Sequence, residues 1–98
     1  MASKYPPESE AHQEETLLEF PCKFPVKAMG RDEDGFEALV SNIVTSHASL
    51  WPGDPIRTVP SKAGNYLSVT AVVEATSQQQ LDAIYQELTD CEYVLMAL

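Results

Sequence analysis

Gly30 and Arg31 stand immediately before the acidic run Asp32-Glu33-Asp34. A glycine lets a ligand approach the backbone, and an arginine can grip a carboxylate or phosphate through two parallel hydrogen bonds. A helix beginning just beyond would add free backbone N–H groups. The three acids oppose that use, because they satisfy the positive helix end themselves and repel an incoming anion. A second candidate is the loop Ser61-Lys62-Ala63-Gly64-Asn65. Lys62 with a hydroxyl and Gly64 could hold an anion in a concavity of backbone amides. The same residues also reverse a chain: Gly64 supplies positive φ and Asn65 tolerates it. A hairpin hinge is the first reading, with Lys62 and Gly64 kept as candidate ligand contacts.

Elsewhere the side chains form no catalytic set. No Ser/His/Asp or Cys/His grouping falls at local spacing. His47 sits at the end of an apolar helical stripe, where the negative end of the helix favours it. Cys22 and Cys91, 69 positions apart, belong to no C-x-x-C pattern, and His12 and His47 add no ligand spacing. No metal and no cofactor are expected, and the two thiols read as free cysteines of a reducing cytosol.

Composition narrows the partners. Fifteen acids against six bases give a net charge of −9. Such a balance disfavours generic binding to nucleic acid or to anionic membranes. No positively charged leader followed by an apolar run opens the chain, and no apolar stretch has membrane-spanning length. The expected setting is the cytoplasm.

The elements that must position these residues are legible in the periodicity. Residues 1–16, "MASKYPPESEAHQEET", are polar and acidic and are expected to form a disordered tail; residues 17–98 form a single domain. In "CKFPVKAM" Phe24, Val26 and Ala28 alternate with Lys23, Pro25, Lys27 and Met29, which predicts a strand ended by Gly30. "RDEDG" then supplies acids at a helix start. Phe36, Leu39, Val40, Ile43, Val44 and His47 form one helical stripe, broken by "ASLWPGDP". "IRTVPS" predicts a short strand, placed at an edge by Pro60. The third strand puts Leu67, Val69, Ala71 and Val73 on one side and Tyr66, Ser68, Thr70, Val72 and Glu74 on the other. "TSQQQLDAIYQEL" opens with Ser77 and Gln80 at capping-box spacing, and its stripe is Leu81, Ile84, Tyr85 and Leu88. "YVLMAL" predicts the last strand. The order βαββαβ, with one apolar stripe per helix, specifies an α+β ferredoxin-like sandwich: a four-stranded antiparallel sheet with both helices on one face and the first and third strands central.

With that order in hand, five blocks carry a resemblance: "LLEFPCKFPVKAMG", "GFEALVSNIVTSHA", "GNYLSVTAVVEAT", "QLDAIYQEL" and "VLMAL". Together they resemble the YbeD-like family, small bacterial cytosolic proteins of uncharacterised function, over residues 17–98. In that family the turn before the third strand usually resembles S-S-K-G or S-R-N-G, so Lys62 stands one position away from the lysine of the first version. A polar or basic residue commonly stands at Leu95. The resemblance implies a fold similar to the ACT domain, a regulatory module that binds small metabolites between paired protomers. It also implies a tie to enzymes of lipoate attachment, often encoded nearby. Acylphosphatases share the topology and need an arginine cradle with an asparagine on the second strand; "IRTVPS" has none.

Both helices on one side leave the other side of the sheet open. The strand alignment gathers Lys27, Met29, Tyr66, Ser68, Thr70, Val72, Tyr93 and Leu95 there. Exposed apolar sheet surface marks a partner, and a homodimer or a cytosolic protein is expected. Tyrosine on a central strand could also stack bases, but the charge opposes RNA. The sequence thus points to a non-enzymatic regulatory or adaptor domain that binds a metabolite or a protein. An acylphosphatase-like hydrolase using Arg31 and an RNA-binding sheet are its alternatives.

Overall fold

The computed structural model describes residues 18–98, so the expected acidic tail over 1–16 lies outside the described residues. The chain runs β1 (Cys22–Arg31), α1 (Phe36–Thr45), β2 (Ser49–Leu50), β3 (Ile56–Pro60), β4 (Tyr66–Ala75), α2 (Gln78–Asp90) and β5 (Val94–Ala97). β1 and β4 are central and pair antiparallel over their whole length, from Cys22 opposite Ala75 to Arg31 opposite Tyr66. β5 flanks β1, and β2 and β3 both pair with β4.

The expected four strands become five because the edge is interrupted. Ser49 and Leu50 pair with Glu74 and Val73, whereas Ile56 to Pro60 pair with Ala71 to Leu67. Between them Trp51 donates to the carbonyl of Val72 and Pro55 accepts from its N–H. "ASLWPGDP" therefore ends α1 and also starts the edge. A two-residue strand carries no readable period, and its partners lie more than twenty positions downstream.

Alternation along β1 and β4 decides the two faces. Val26, Ala28, Val69, Ala71, Val73 and Ala75 are fully buried, and they meet Val40 and Val44 of α1 and Leu81, Ile84 and Leu88 of α2. Both helices lie on this one side. Pro25 is tolerated in a central strand because backbone hydrogen bonding to the β5 side starts only at Lys27, which exchanges two bonds with Leu98. The position lacking an N–H falls where no strand is there to receive one.

Two local expectations change. The acids Asp32, Glu33 and Asp34 precede α1 rather than opening it: the N-cap is Gly35, in the left-handed region with φ 91°, and Glu37 is the acid of the first turn. β1 also passes through Gly30 to Arg31 instead of stopping at Met29. α2 starts on the expected residues. Ser77 accepts from the Gln80 N–H at 3.0 Å, while the Gln80 side chain reaches Thr76, one residue further back, at 2.8 Å. Its amide nitrogen also donates to the carbonyl of His47 at 2.9 Å, tying the start of α2 to the end of α1.

Candidate functional site

The open face is built by every second residue of β1 and β4. Lys23, Lys27 and Arg31 recur at four-residue intervals along β1, and the strand rise separates neighbours in this row by about 13 Å. Across from them on β4 stand Glu74, Thr70 and Tyr66. β3 brings Arg57 opposite Thr70 and Val59 opposite Ser68. Four of the chain's six basic residues therefore share a surface on which Glu74 is the one acidic strand residue. Lys23 also holds its ammonium 5.8 Å from the centre of the Trp51 ring, within cation–π range.

Among the described residues the one ion pair is His47 with Glu87, at 2.7 Å on the helical side. The four cations of the sheet thus carry no carboxylate partner within salt-bridge distance among those residues. Apolar side chains stand between them: Val59 is 56% exposed, Tyr66 40% and Met96 49%.

Met96 was not among the expected face residues, and it replaces two that were. A bulge between Met29 and Gly30 sets Met96 opposite Met29 and Val94 opposite Gly30, leaving Leu95 as the extra residue. Leu95 and Tyr93, the latter in the turn before β5, line a pocket at the end of the sheet. Alternation alone counts two residues per repeat and cannot locate an inserted one. The remaining expected members, Lys27, Met29, Tyr66, Ser68, Thr70 and Val72, do share the open face.

The pocket has a volume of about 670 Å³ and lies beyond the end of β1, between the start of α1 and the turn into β5. Arg31 lines it together with three carboxylates, Glu33, Asp34 and Glu92, and with Phe36 and Tyr93. An anion entering here meets more negative than positive charge, which weakens the use of Arg31 as a phosphate or acyl-phosphate cradle. Gly30 is not a point of ligand approach. It is buried, and a Cβ on it would come within 2.5 Å of the Phe36 ring and against the carbonyl of Tyr93. The missing side chain makes room for packing.

The loop of Lys62 and Gly64 is a closed hairpin. Ser61 and Tyr66 exchange backbone and side-chain bonds: the Ser61 N–H donates to the Tyr66 carbonyl, and its hydroxyl accepts from the Tyr66 N–H at 3.1 Å. Gly64, at φ 80°, donates to the Ser61 carbonyl. The Asn65 carbonyl accepts from Asp32 at 3.0 Å, so the two candidate loops, distant in sequence, abut in space. Lys62 is exposed at the tip.

Cys22 begins β1, while Cys91 caps α2 beside Val94, which pairs with Gly30 near the other end of β1. That strand length, about 26 Å, far exceeds disulfide reach, and both thiols are free. Among the described residues no cluster of metal-ligating side chains forms, and no helix is long and apolar enough to cross a membrane.

A family model described as "Protein of unknown function (DUF493)" matches residues 15–98. This chain belongs to that family. It is 42% identical over 85 residues to a UPF0250 protein of Nitrosomonas europaea, covering 87% of this chain and 98% of that one. A UPF0250 protein of Neisseria meningitidis serogroup B is 41% identical over 90 residues, with 92% and 99% covered. The resemblance to YbeD-like proteins drawn from the five sequence blocks points to this same group. Two solved structures share the fold at low identity. Protein HP0495 from H. pylori superposes with a TM-score of 0.65 at 14% identity, over 83% of this chain and 85% of that one. The ACT domain from GTP pyrophosphokinase of Chlorobium tepidum superposes with a TM-score of 0.54 at 10% identity, over 78% and 84%. This chain therefore shares a ferredoxin-like, ACT-like architecture with both. The family description assigns no activity.

Proposed function

We propose that this chain is a non-enzymatic regulatory or adaptor module of the cytoplasm that takes a protein partner on the open face of its sheet. One observation carries the reading: in a chain of net charge −9, four of six cations gather on the uncovered sheet face, interleaved with exposed Val59, Tyr66 and Met96. Exposed apolar surface set among unpaired charges is what a specific docking site presents before its partner arrives. The likeness to an ACT domain supports the regulatory part by analogy of fold, and two unpaired cysteines suit a reducing compartment.

A photo-crosslinking residue placed at Met96 or Val59 in cells is expected to capture a discrete partner, while one at Asp82 on α2 is not. Equal capture from both sides, or none from the sheet, overturns the reading. A small metabolite in the pocket beside Arg31 is the second reading, supported by the pocket's volume and its two aromatic walls. Its mixed lining suits a zwitterion with an apolar body better than a phosphate. Amide shifts at Arg31, Phe36 and Tyr93 on titration with amino acids or lipoate test it, and their absence removes it.

A further inference from the structure

We propose that the occupant of the open face is an acidic, extended segment of another protein, with carboxylates at four-residue intervals and apolar side chains between them. This rests on the reading of that face as a docking surface and adds the chemistry of what docks.

The first argument is charge complementarity. Lys23, Lys27, Arg31 and Arg57 have no carboxylate within salt-bridge distance among the described residues, although acids outnumber bases by more than two to one in the chain. Glu74, across from Lys23, is the one acidic strand residue of this face. The acids of the helices and of the turns at the sheet's end lie elsewhere, with Glu37 on α1, Asp82, Glu87 and Asp90 on α2, and Asp32, Glu33, Asp34 and Glu92 in the turns. A molecule polarised in this way steers a negative segment to the sheet and away from the helices.

The second argument is commensurate spacing. A polypeptide in extended conformation rises by the same increment per residue as β1, so acids four positions apart fall opposite Lys23 and Lys27, about 13 Å apart. Arg57 lies on the same face across Thr70 from Lys27, while Arg31 stands at the acidic end of the row. The intervening side chains then meet Met29, Met96, Tyr66 and Val59, which are otherwise left to water.

The other occupants fit less well. A second copy placed face to face sets four cations against four. Single-stranded nucleic acid needs a groove that tracks phosphates at closer intervals and a platform of stacking rings. Here Tyr66 is the exposed ring on a central strand, Trp51 is already engaged by Lys23, and the acids Asp32 to Asp34 follow directly on Arg31.

The test is an amide-shift titration of the full chain with a synthetic peptide carrying glutamate at every fourth position and leucine and serine between. The same peptide with glutamine for glutamate, and a single-stranded RNA oligonucleotide, are the comparison probes. Saturable shifts at Lys27, Met29, Ser68, Thr70 and Met96 are expected with the glutamate peptide alone, with affinity falling as salt rises. Lys27→Glu and Arg57→Glu should each weaken it by roughly three- to tenfold, and the milder Lys27→Met by less. Glu37→Gln, on the helical side, should leave affinity unchanged. Equal binding of the glutamine peptide, binding of RNA in place of the acidic peptide, or shifts confined to the helices or the Arg31 pocket each overturn the proposal. If the acidic peptide fails while crosslinking at Met96 still captures a partner, the docking surface stands and only its proposed chemistry falls.

Discussion

The two faces of β1 and β4 are made by the same twenty residues and do opposite work. On one face Val26, Ala28, Val69, Ala71, Val73 and Ala75 are closed off by both helices; on the other, Lys27, Tyr66 and their neighbours meet water. Burial on the helical face supplies the hydrophobic stabilisation of the domain, while the open face contributes little to folding. What it carries instead is a set of cations without a salt bridge among the described residues, with exposed apolar side chains between them. The stabilising face and the proposed docking face are thus separated by one residue step along a strand.

Substitutions rank themselves along that division. Ile84→Ala, in the fully buried stripe of α2, should lower unfolding free energy by about 3 kcal/mol, read from denaturant melts. Gly30→Ala should cost about 2 kcal/mol by overpacking against Phe36 and the Tyr93 carbonyl. A mild effect there would mean that the turn into β5 yields easily. Tyr85→Phe should cost about 1 kcal/mol, through loss of the 2.6 Å bond from its hydroxyl to the Leu98 carbonyl. Burial raises the Tyr85 pKa above the usual 10.0, so the folded chain holds this proton more tightly than the unfolded one. Its contribution is complete below pH 10 and fades as pH rises through the folded value, and the phenylalanine variant should lack this alkaline component. Lys27→Met, on the open face, should change stability by less than about 0.5 kcal/mol while weakening partner binding. A large stability loss there would erase the contrast between the faces.

Much of the fold was legible because its signals are local. Alternation in "CKFPVKAM" and "YLSVTAVV", the stripes of both helices and the Ser77 cap each lie within a dozen residues, and each holds in the structure. The misses have a common cause. The Ser49–Leu50 strand exists through its pairing with Val73 and Glu74, and the bulge that trades Leu95 for Met96 exists through β5 meeting β1. Gly30 was read as an opening for a ligand, but Phe36 and Tyr93 arrive from other elements to fill it. None of these is written in the neighbouring residues.

The same limit applied to the candidate site. Lys23 and Lys27 were visible as polar members of one strand, yet Arg57 joined them only through the register of β3 on β4. No pattern in the chain marks a residue thirty positions away as a neighbour. The basic surface is a product of strand order, and overall composition, at −9, conceals it.

Local periodicity by itself determined which segments pleat, which coil and which side of each is apolar, because side-chain geometry repeats every two or 3.6 residues wherever the chain goes. The tertiary structure alone decided which of the outward residues stand together and which were turned aside. That outcome depends on register between strands far apart in sequence, and a single inserted residue is enough to change it.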